Sequence, residues 1–512
     1  MITQFIIFTS LILFLFLWCK NIYDRILISK NILLKFIFCL GLTLIFKCDW
    51  GFHFLGMEYE DAYSFSAYTR QLSYGIQSND LRIEGVDIGS LNNPVTTSTY
   101  GGHFITYPLF LYLFTSIFGF SFSVISIVNT IIAFMSLLTL ALLYNYQNKH
   151  AWLIATLSFC IAPAINLFST TFLSESFSSL ISIGFILSFL SLRQNSSIYH
   201  KLFVLCSFFL AILSKRDNSI LFIIPILAGI YIFCTERKFI KAIKILVPFI
   251  LIFIIISIFI HNIFLAEIEE TSDISQPTFS ITIFLSQFPI YIKSLFSFPY
   301  FSISVPLFII ALFYVFYKKH NRYEIFCLLI LFLGYLTMYS AHYRGYYFIK
   351  EIESFTPFST FRYINNFFYI IPITLALALG NGNKIWKPLC VLITIFSCIS
   401  IFYTFIFRKE LSREEYFSRF KDVYEVTSVI PENAVVITDV PLLFINISSP
   451  DIYICSLDQI ETINFRNTNE FYLFCEDNDI FTERYNINLS SFKKLRIKEF
   501  SDGRNLYKLQ LQ

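Results

Sequence analysis

The sequence predicts a polytopic α-helical membrane protein of about twelve spans, followed by a small α/β domain at its C-terminal end. Three observations predict it. Of the 512 residues 56% are hydrophobic and 14% charged, against about 25% charged in an ordinary soluble domain, and the mean hydropathy is +0.65. Apolar runs of lipid-spanning length recur up to residue 407, separated by short polar loops. Beyond residue 408 the composition becomes that of a soluble domain. The net charge of +3 is small, and Lys and Arg sit in interhelical loops rather than a basic tail, which argues against a nucleic-acid partner.

At about 20 apolar residues per crossing, the segments fall at 4–19, 31–46, 122–144, 151–169, 173–192, 202–214, 218–234, 244–264, 300–317, 323–341, 364–380 and 385–407. The shorter ones must tilt or thin the bilayer. If the first basic loop (Lys20, Arg25, Lys30) is cytoplasmic, alternation also puts the loops carrying Lys149, Arg193/Lys201, Arg237/Lys238/Lys241, Lys318/Lys319/Arg322 and Lys384/Lys387 inside. The same alternation puts outside the loop at 47–121, the acidic stretch Glu267 to Asp273, the loop His342 to Arg362 and the C-terminal domain. Residues 1–19 lack the charged region that precedes the apolar core of a signal peptide, so they are expected to stay as an uncleaved anchor.

The expected domains are therefore 1–407, the membrane module, and 408–512, an extracytoplasmic α/β unit. In the latter, Glu410 to Ile430 has the period of an amphipathic helix, Pro431-Glu432-Asn433 reads as a turn, and 434–438, 452–454 and 471–474 read as strands. Eleven cysteines are scattered, mostly within spans, with no Cys-x-x-Cys pair and no zinc spacing. Cys455 and Cys475 are a candidate disulfide if the compartment is oxidising.

The first outer loop is where chemistry is expected. It opens with Glu58-Tyr59-Glu60-Asp61-Ala62-Tyr63. Asp80, Glu84 and Asp87 read as ordinary loop charge. Glu60 and Asp61 differ because Tyr59, Tyr63, Phe65, Ala67 and Tyr68 surround them at a membrane interface, where a carboxylate is costly unless paired or used. Glycosyl transfer gives such a group work. A carboxylate takes the proton from an acceptor hydroxyl as it attacks the sugar C1, while cations hold the departing phosphate. On the outer side, where nucleotide sugars are absent, the donor would be a sugar on a lipid phosphate.

The cations are present on that side. Lys215 and Arg216, in Ser214-Lys-Arg-Asp-Asn218, break the positive-inside pattern. Arg362, Arg344 and Lys350 are further candidates to meet a phosphate, with interfacial snorkelling as the alternative role for Arg362. Glu175, at an outer helix end, is a candidate to orient an acceptor or balance Lys215 or Arg216, with a plain helix-end carboxylate as the alternative.

This layout resembles, over nearly its full length, the GT-C glycosyltransferases that use polyprenyl-phosphate sugars, in particular the bacterial group similar to protein O-mannosyltransferases and the lipid A aminoarabinose transferase. Glu60-Asp61-Ala62-Tyr63 looks like the family's Asp-Glu pair and Tyr with the acids exchanged. Ala67-Tyr-Thr-Arg70 is similar to its Ala-x-x-Arg helix, and His103-Phe-Ile-Thr-Tyr107-Pro108-Leu109 loosely to its His/Lys-Pro-Pro-Leu-Tyr stretch. Leu173-Ser-Glu175 resembles its Ser-Glu, Ser214-Lys-Arg216 its Thr-Lys/Arg turn, and Arg362-Tyr363 its late Arg-Tyr. Aligning the family's first Asp with Asp61 keeps Arg70 in register and leaves Glu60 extra; aligning it with Glu60 shifts Arg70 by one residue.

The resemblance implies a GT-C-like fold and an inverting transferase in a bacterial cytoplasmic membrane. Asp61 or Glu60 would be the base. Arg70, Lys215, Arg216, Arg362 and Tyr363 would hold the lipid phosphate, with His103, Tyr107, Glu175 and Arg344 near the acceptor or cavity. The acceptor would be a glycan, lipid or protein. Some relatives use a divalent metal and others do not; Glu60, Asp61 and His103 are the residues that could supply ligands. Two other readings share the spans: an O-antigen polymerase or ligase, expected to carry its large loop late in the chain, and a lipid-linked sugar flippase or transporter, expected to lack a folded outer domain.

Overall fold

The computed structural model describes residues 2–28, 31–47, 60–73, 88–89, 94–95, 105–144, 146, 151–161, 174–194, 197–270, 280–296, 304–318, 322–341, 366–379, 388–396, 398–399, 414–432, 434–447, 452–456, 470–476, 492–500 and 504–511. Helices α1 (Ile2–Ile28) and α2 (Ile32–Leu42) come first, α2 running into a π-helical turn, Thr43–Lys47. Helix α3 (Glu60–Ser73) belongs to the first loop. The bundle continues through α4 (Thr106–Phe118), α5 (Phe122–Leu142), α6 (Ala151–Cys160), α7 (Glu175–Leu190) and α8 (Ile198–Ser214). A 3-10 stretch, Arg216–Phe222, leads into α9 (Ile223–Glu236), then α10 (Phe239–Glu270), α11 (Ile281–Phe296), α12 (Ser304–Lys318), α13 (Arg322–Ala341) and α14 (Phe367–Leu379).

Local chemistry sets several of these boundaries. Gly119, at φ 80°, ends α4 in a backbone region that favours glycine. Ser121 then caps α5 by accepting from the Val124 amide at 3.2 Å, and Ser197 caps α8 from His200 N at 3.2 Å. Helices α9 and α10 pack so closely at Gly229 that a Cβ there would lie 2.7 Å from Leu246 Cδ1.

Among the described residues five helices are long and apolar enough to cross a membrane: Phe5–Leu27, Phe122–Leu142, Asp217–Glu236, Phe239–Ser257 and Arg322–Ala341. The expectation of about twelve crossings also counts shorter apolar helices. One of them, α6, has 10 residues. Its expected span, 151–169, runs beyond the described residues there, which end at 161. Helix α11 lies where the sequence pattern showed no span, and α4 occupies the end of what reads as loop.

Buried polar contacts gather the helix ends at two poles. At the pole beside the Lys20–Lys30 and Arg193–Lys201 loops, His200 of α8 meets Asn21 of α1 (Nδ1 to Oδ1, 2.7 Å) and Ser188 O and Ser191 Oγ near the end of α7 (both 2.9 Å from Nε2). Lys35 of α2 donates to Ala141 O of α5 at 3.4 Å, near this same pole. At the opposite pole α7 and α14 begin while α8 and α13 end, and α3 lies there too.

The C-terminal segment supplies α15 (Glu414–Val429), α16 (Pro441–Ile447) and most of one seven-stranded sheet. Its strands are β1 (Ile88–Gly89), β2 (Pro94–Val95), β3 (Val435–Thr438), β4 (Tyr453–Ser456), β5 (Phe471–Glu476), β6 (Phe492–Glu499) and β7 (Arg504–Leu511), in the order β2-β1-β4-β3-β5-β7-β6. The centre, β4-β3-β5, is parallel, and the remaining pairs are antiparallel. Two strands therefore come from the first loop, Ile88 pairing with Cys455. Phe444 of α16, Phe474 and Phe500 form the aromatic core, with ring centroids 5.7 and 5.4 Å apart. Behind β7 Arg504 Nη2 pairs with Asp439 Oδ2 at 3.0 Å.

The candidate disulfide between Cys455 and Cys475 does not form. Strands β4 and β5 flank β3 on opposite sides. Two strand spacings amount to about 9–10 Å, beyond the ~7 Å Cα separation a disulfide can bridge.

Candidate functional site

Helix α3 carries the acidic pair at its start: Glu60 is its first residue and Asp61 its second. Their side chains lie outside the described residues. What fixes the helix is the burial of residues further along it. Phe65, Ala67 and Tyr68 are each 2% exposed. The Phe65 ring meets Tyr107 of α4 edge-on at 5.4 Å. Tyr107 is in turn anchored, donating its hydroxyl proton to Asn129 Oδ1 of α5 at 2.8 Å and packing 5.9 Å from the Phe177 ring of α7. Tyr107 is therefore a strut between α3 and the start of α7, where Glu175 sits.

Glu175 is buried, at the N-terminus of α7, where the helix dipole favours a carboxylate. Lys215 Nζ pairs with its Oε1 at 3.5 Å. Lys215 caps the C-terminal end of α8 in extended backbone, and Thr106 of α4 holds that same end by donating to Leu213 O at 2.5 Å. The turn that follows is pinned from below. Asn218, fully buried, donates to Ser178 Oγ of α7 at 2.8 Å and to Ala211 O at 2.9 Å, and accepts from the Tyr335 hydroxyl of α13 at 3.2 Å. Beside it Tyr339 donates to Asp217 Oδ2 at 3.3 Å. Asn366 donates to the Tyr339 oxygen at 2.7 Å and accepts from Tyr369 at 3.0 Å. Tyr369 and Tyr335 close the ring at 3.3 Å. Four helices thus hold Lys215, Arg216 and Asp217 at one pole through neutral phenol, amide and hydroxyl groups. Such buried groups cost free energy unless they are hydrogen-bonded, and their mutual satisfaction makes the turn rigid.

Of the residues the sequence singles out, the structure brings Tyr107, Glu175 and Lys215 together. Arg216 opens the 3-10 stretch beside them, its side chain outside the described residues. Arg70 has partners elsewhere: Nη1 donates to Ile445 O of α16 at 2.7 Å, and the guanidinium lies 5.8 Å from the Phe120 ring. His103, Arg344, Arg362 and Tyr363 fall outside the described residues. Among the described residues no group of three or more His, Cys, Asp and Glu side chains is placed to hold a metal ion.

The residues that sequence reasoning missed are Tyr335, Tyr339, Asn366 and Tyr369. A signal was present, since polar side chains one helical turn apart in apolar helices (335/339 and 366/369) mark a shared buried face.

No protein-family model matches the chain, and no curated protein matches it in sequence. Solved structures do. A crystal structure of ArnT from Cupriavidus metallidurans bound to undecaprenyl phosphate superposes with a TM-score of 0.54 at 9% identity, covering 92% of this chain and 97% of that one. The chain has the fold of ArnT. The apo state of ArnT from the same organism matches at 0.51 and 9% identity, covering 87% of this chain and 93% of that one. The architecture agrees with the GT-C-like fold that the motif order implied.

Proposed function

We propose that this protein is a membrane glycosyltransferase that moves a sugar from a polyprenyl-phosphate carrier to an acceptor hydroxyl at the outer face of a bacterial cytoplasmic membrane. The observation that carries the proposal is the rigid Lys215–Asp217 turn, at the same pole as the helix bearing Glu60 and Asp61, within a fold shared with an ArnT that binds undecaprenyl phosphate.

In this reading Asp61, or Glu60 beside it, takes the proton from the acceptor hydroxyl as its oxygen attacks C1 of the sugar. The bond from C1 to the phosphate oxygen breaks with inversion, and polyprenyl phosphate leaves with one more negative charge. Lys215, Arg216 and Arg362 stabilise that charge, and Tyr363 adds a hydroxyl beside them. Glu175 holds the Lys215 ammonium in place. Tyr107 positions the base-bearing helix. Arg70, oriented by Ile445 O, ties that helix to α16, so the C-terminal unit, on the outer side, helps to shape the acceptor side. His103 and Arg344 complete the cavity. Whether the acceptor is a glycan, a lipid or a protein, and whether a metal joins Glu60 and Asp61, are decided by the same assay run with different acceptors and with a chelator.

The test is release of polyprenyl phosphate from labelled lipid-linked sugars by membranes holding the wild type, Asp61→Asn, Glu60→Gln or the double variant. Loss of the base should lower turnover by about 10²–10⁴-fold. Unchanged turnover in the double variant would falsify the base assignment, and no turnover with any sugar would favour a flippase.

A further inference from the structure

A cavity of about 610 Å³ lies where α3, the turn between α4 and α5, and α16 meet, and the transfer reaction leaves it without a role. Arg70, Ser73, Tyr112, Thr115, Ser116 and Asn446 line it, closed on one side by the turn Gly119 to Phe122. None of the described residues lining it is acidic.

Three independent features point to an anion. The cavity sits at the N-terminus of α5, a 21-residue helix whose dipole presents positive charge there. Arg70 lines it with a guanidinium that the Ile445 carbonyl holds in one orientation. Thr115, only 2% exposed, has a buried Oγ1 with no hydrogen-bond partner. A buried hydroxyl left without a partner costs about 1–3 kcal/mol, so a ligand that accepts its proton gains by binding there. Ser73 and Ser116 already donate to Thr69 O and Leu113 O, and phosphate oxygens suit what remains: the Arg70 cation, the Thr115 hydroxyl and a helix terminus.

The setting narrows the source of the phosphate. The mouth lies at exposed Ser116, Gly119 and Ser121, and next to it Ile117 and Phe118 are 74% and 70% exposed. These apolar side chains project where a hydrocarbon chain would lie beside a headgroup. We infer that this cavity binds the phosphate-bearing headgroup of an amphipathic lipid, with the lipid's hydrocarbon running along Ile117 and Phe118. The site is separate from the Lys215 turn, and its occupancy would set how α16 is seated against the helix that carries Glu60 and Asp61.

The test is equilibrium binding to the purified full chain in a neutral detergent, with dihexanoyl phosphatidic acid, inorganic phosphate and dihexanoylglycerol as probes. Phosphatidic acid should bind saturably and the neutral glyceride should not. Thr115→Val, which keeps the shape and the Arg70 to Ile445 bond, should weaken binding about tenfold, and Arg70→Gln at least as much. Asp61→Asn should bind as the wild type does, so that failure of the transfer reading and failure of this site are read separately. Inorganic phosphate binding as tightly as phosphatidic acid would overturn the lipid assignment in favour of free phosphate. Affinity unchanged in both Thr115→Val and Arg70→Gln, or no saturable binding of either phosphate, would overturn the site.

Discussion

The two poles of the bundle solve the same physical problem with different materials. At one, the contacts are between neutral groups: His200 Nδ1 donates to Asn21 Oδ1, its Nε2 faces the Ser191 hydroxyl and the Ser188 carbonyl, and His200 and Asn21 are buried. At the other, an equally buried set of tyrosines and asparagines ends not on itself but on Asp217 and on the turn that carries Lys215, which is paired with Glu175. A closed neutral network joins helices. A network that terminates in half-buried charges spends its rigidity on presenting those charges, and preorganised charge is what a reaction that expels phosphate needs.

Breaking that contrast should give unequal results. Lys215→Met at the charged pole should lower transfer by about 100-fold or more, measured as turnover per folded molecule, while a thermal scan reads separately the cost of leaving buried Glu175 without its cation. His200→Leu at the opposite pole should act on stability alone. It strips Asn21 and Ser191 of a partner, costs about 1–3 kcal/mol of stability, and leaves turnover per folded molecule near wild type. Equal losses of turnover in the two variants would erase the distinction.

The smallest effect belongs to the sheet, away from both poles. The Lys508 ammonium, hydrogen-bonded at 2.5 Å, and then the Tyr472 hydroxyl hold the Glu470 carboxyl below its ordinary value of 4.5. A carboxyl with a depressed folded value adds stability above its unfolded value and loses it as pH falls through the folded one. Lys508→Met should therefore flatten the acid limb of the stability curve below about pH 4.5. The pair is solvent-exposed, so the change should stay under about 1 kcal/mol.

The sequence made some of this legible and not the rest, for physical reasons. Lys215 and Arg216 could be read because a cation at the wrong end of an apolar run violates the loop pattern. The amphipathic period from Glu410 to Ile430 anticipated α15, and the apolar runs at 434–438, 452–454 and 471–474 anticipated β3, β4 and β5. Tyr335, Tyr339, Asn366 and Tyr369 escaped because a tyrosine or asparagine inside a span carries no charge to betray it, and because their common partner turn lies more than a hundred positions away. Helix α11 was missed because Gln287, Pro289 and Lys293 interrupt its apolar run. The strands Ile88–Gly89 and Pro94–Val95 are too short to show any alternation. Arg70 could be singled out as a cation, but not its Ile445 partner, since a backbone carbonyl leaves no mark in a sequence.

The edge of the sheet also has a consequence for how the protein is made. Ile88 cannot find Cys455 until translation is nearly finished, so the early pair of β1 and β2 must wait, its β4 edge open, while the whole bundle is inserted. A chain that stalls or is clipped before β4 keeps its helices and leaves that edge open. Assembly of the sheet therefore requires the first loop and the C-terminal segment to reach the same compartment.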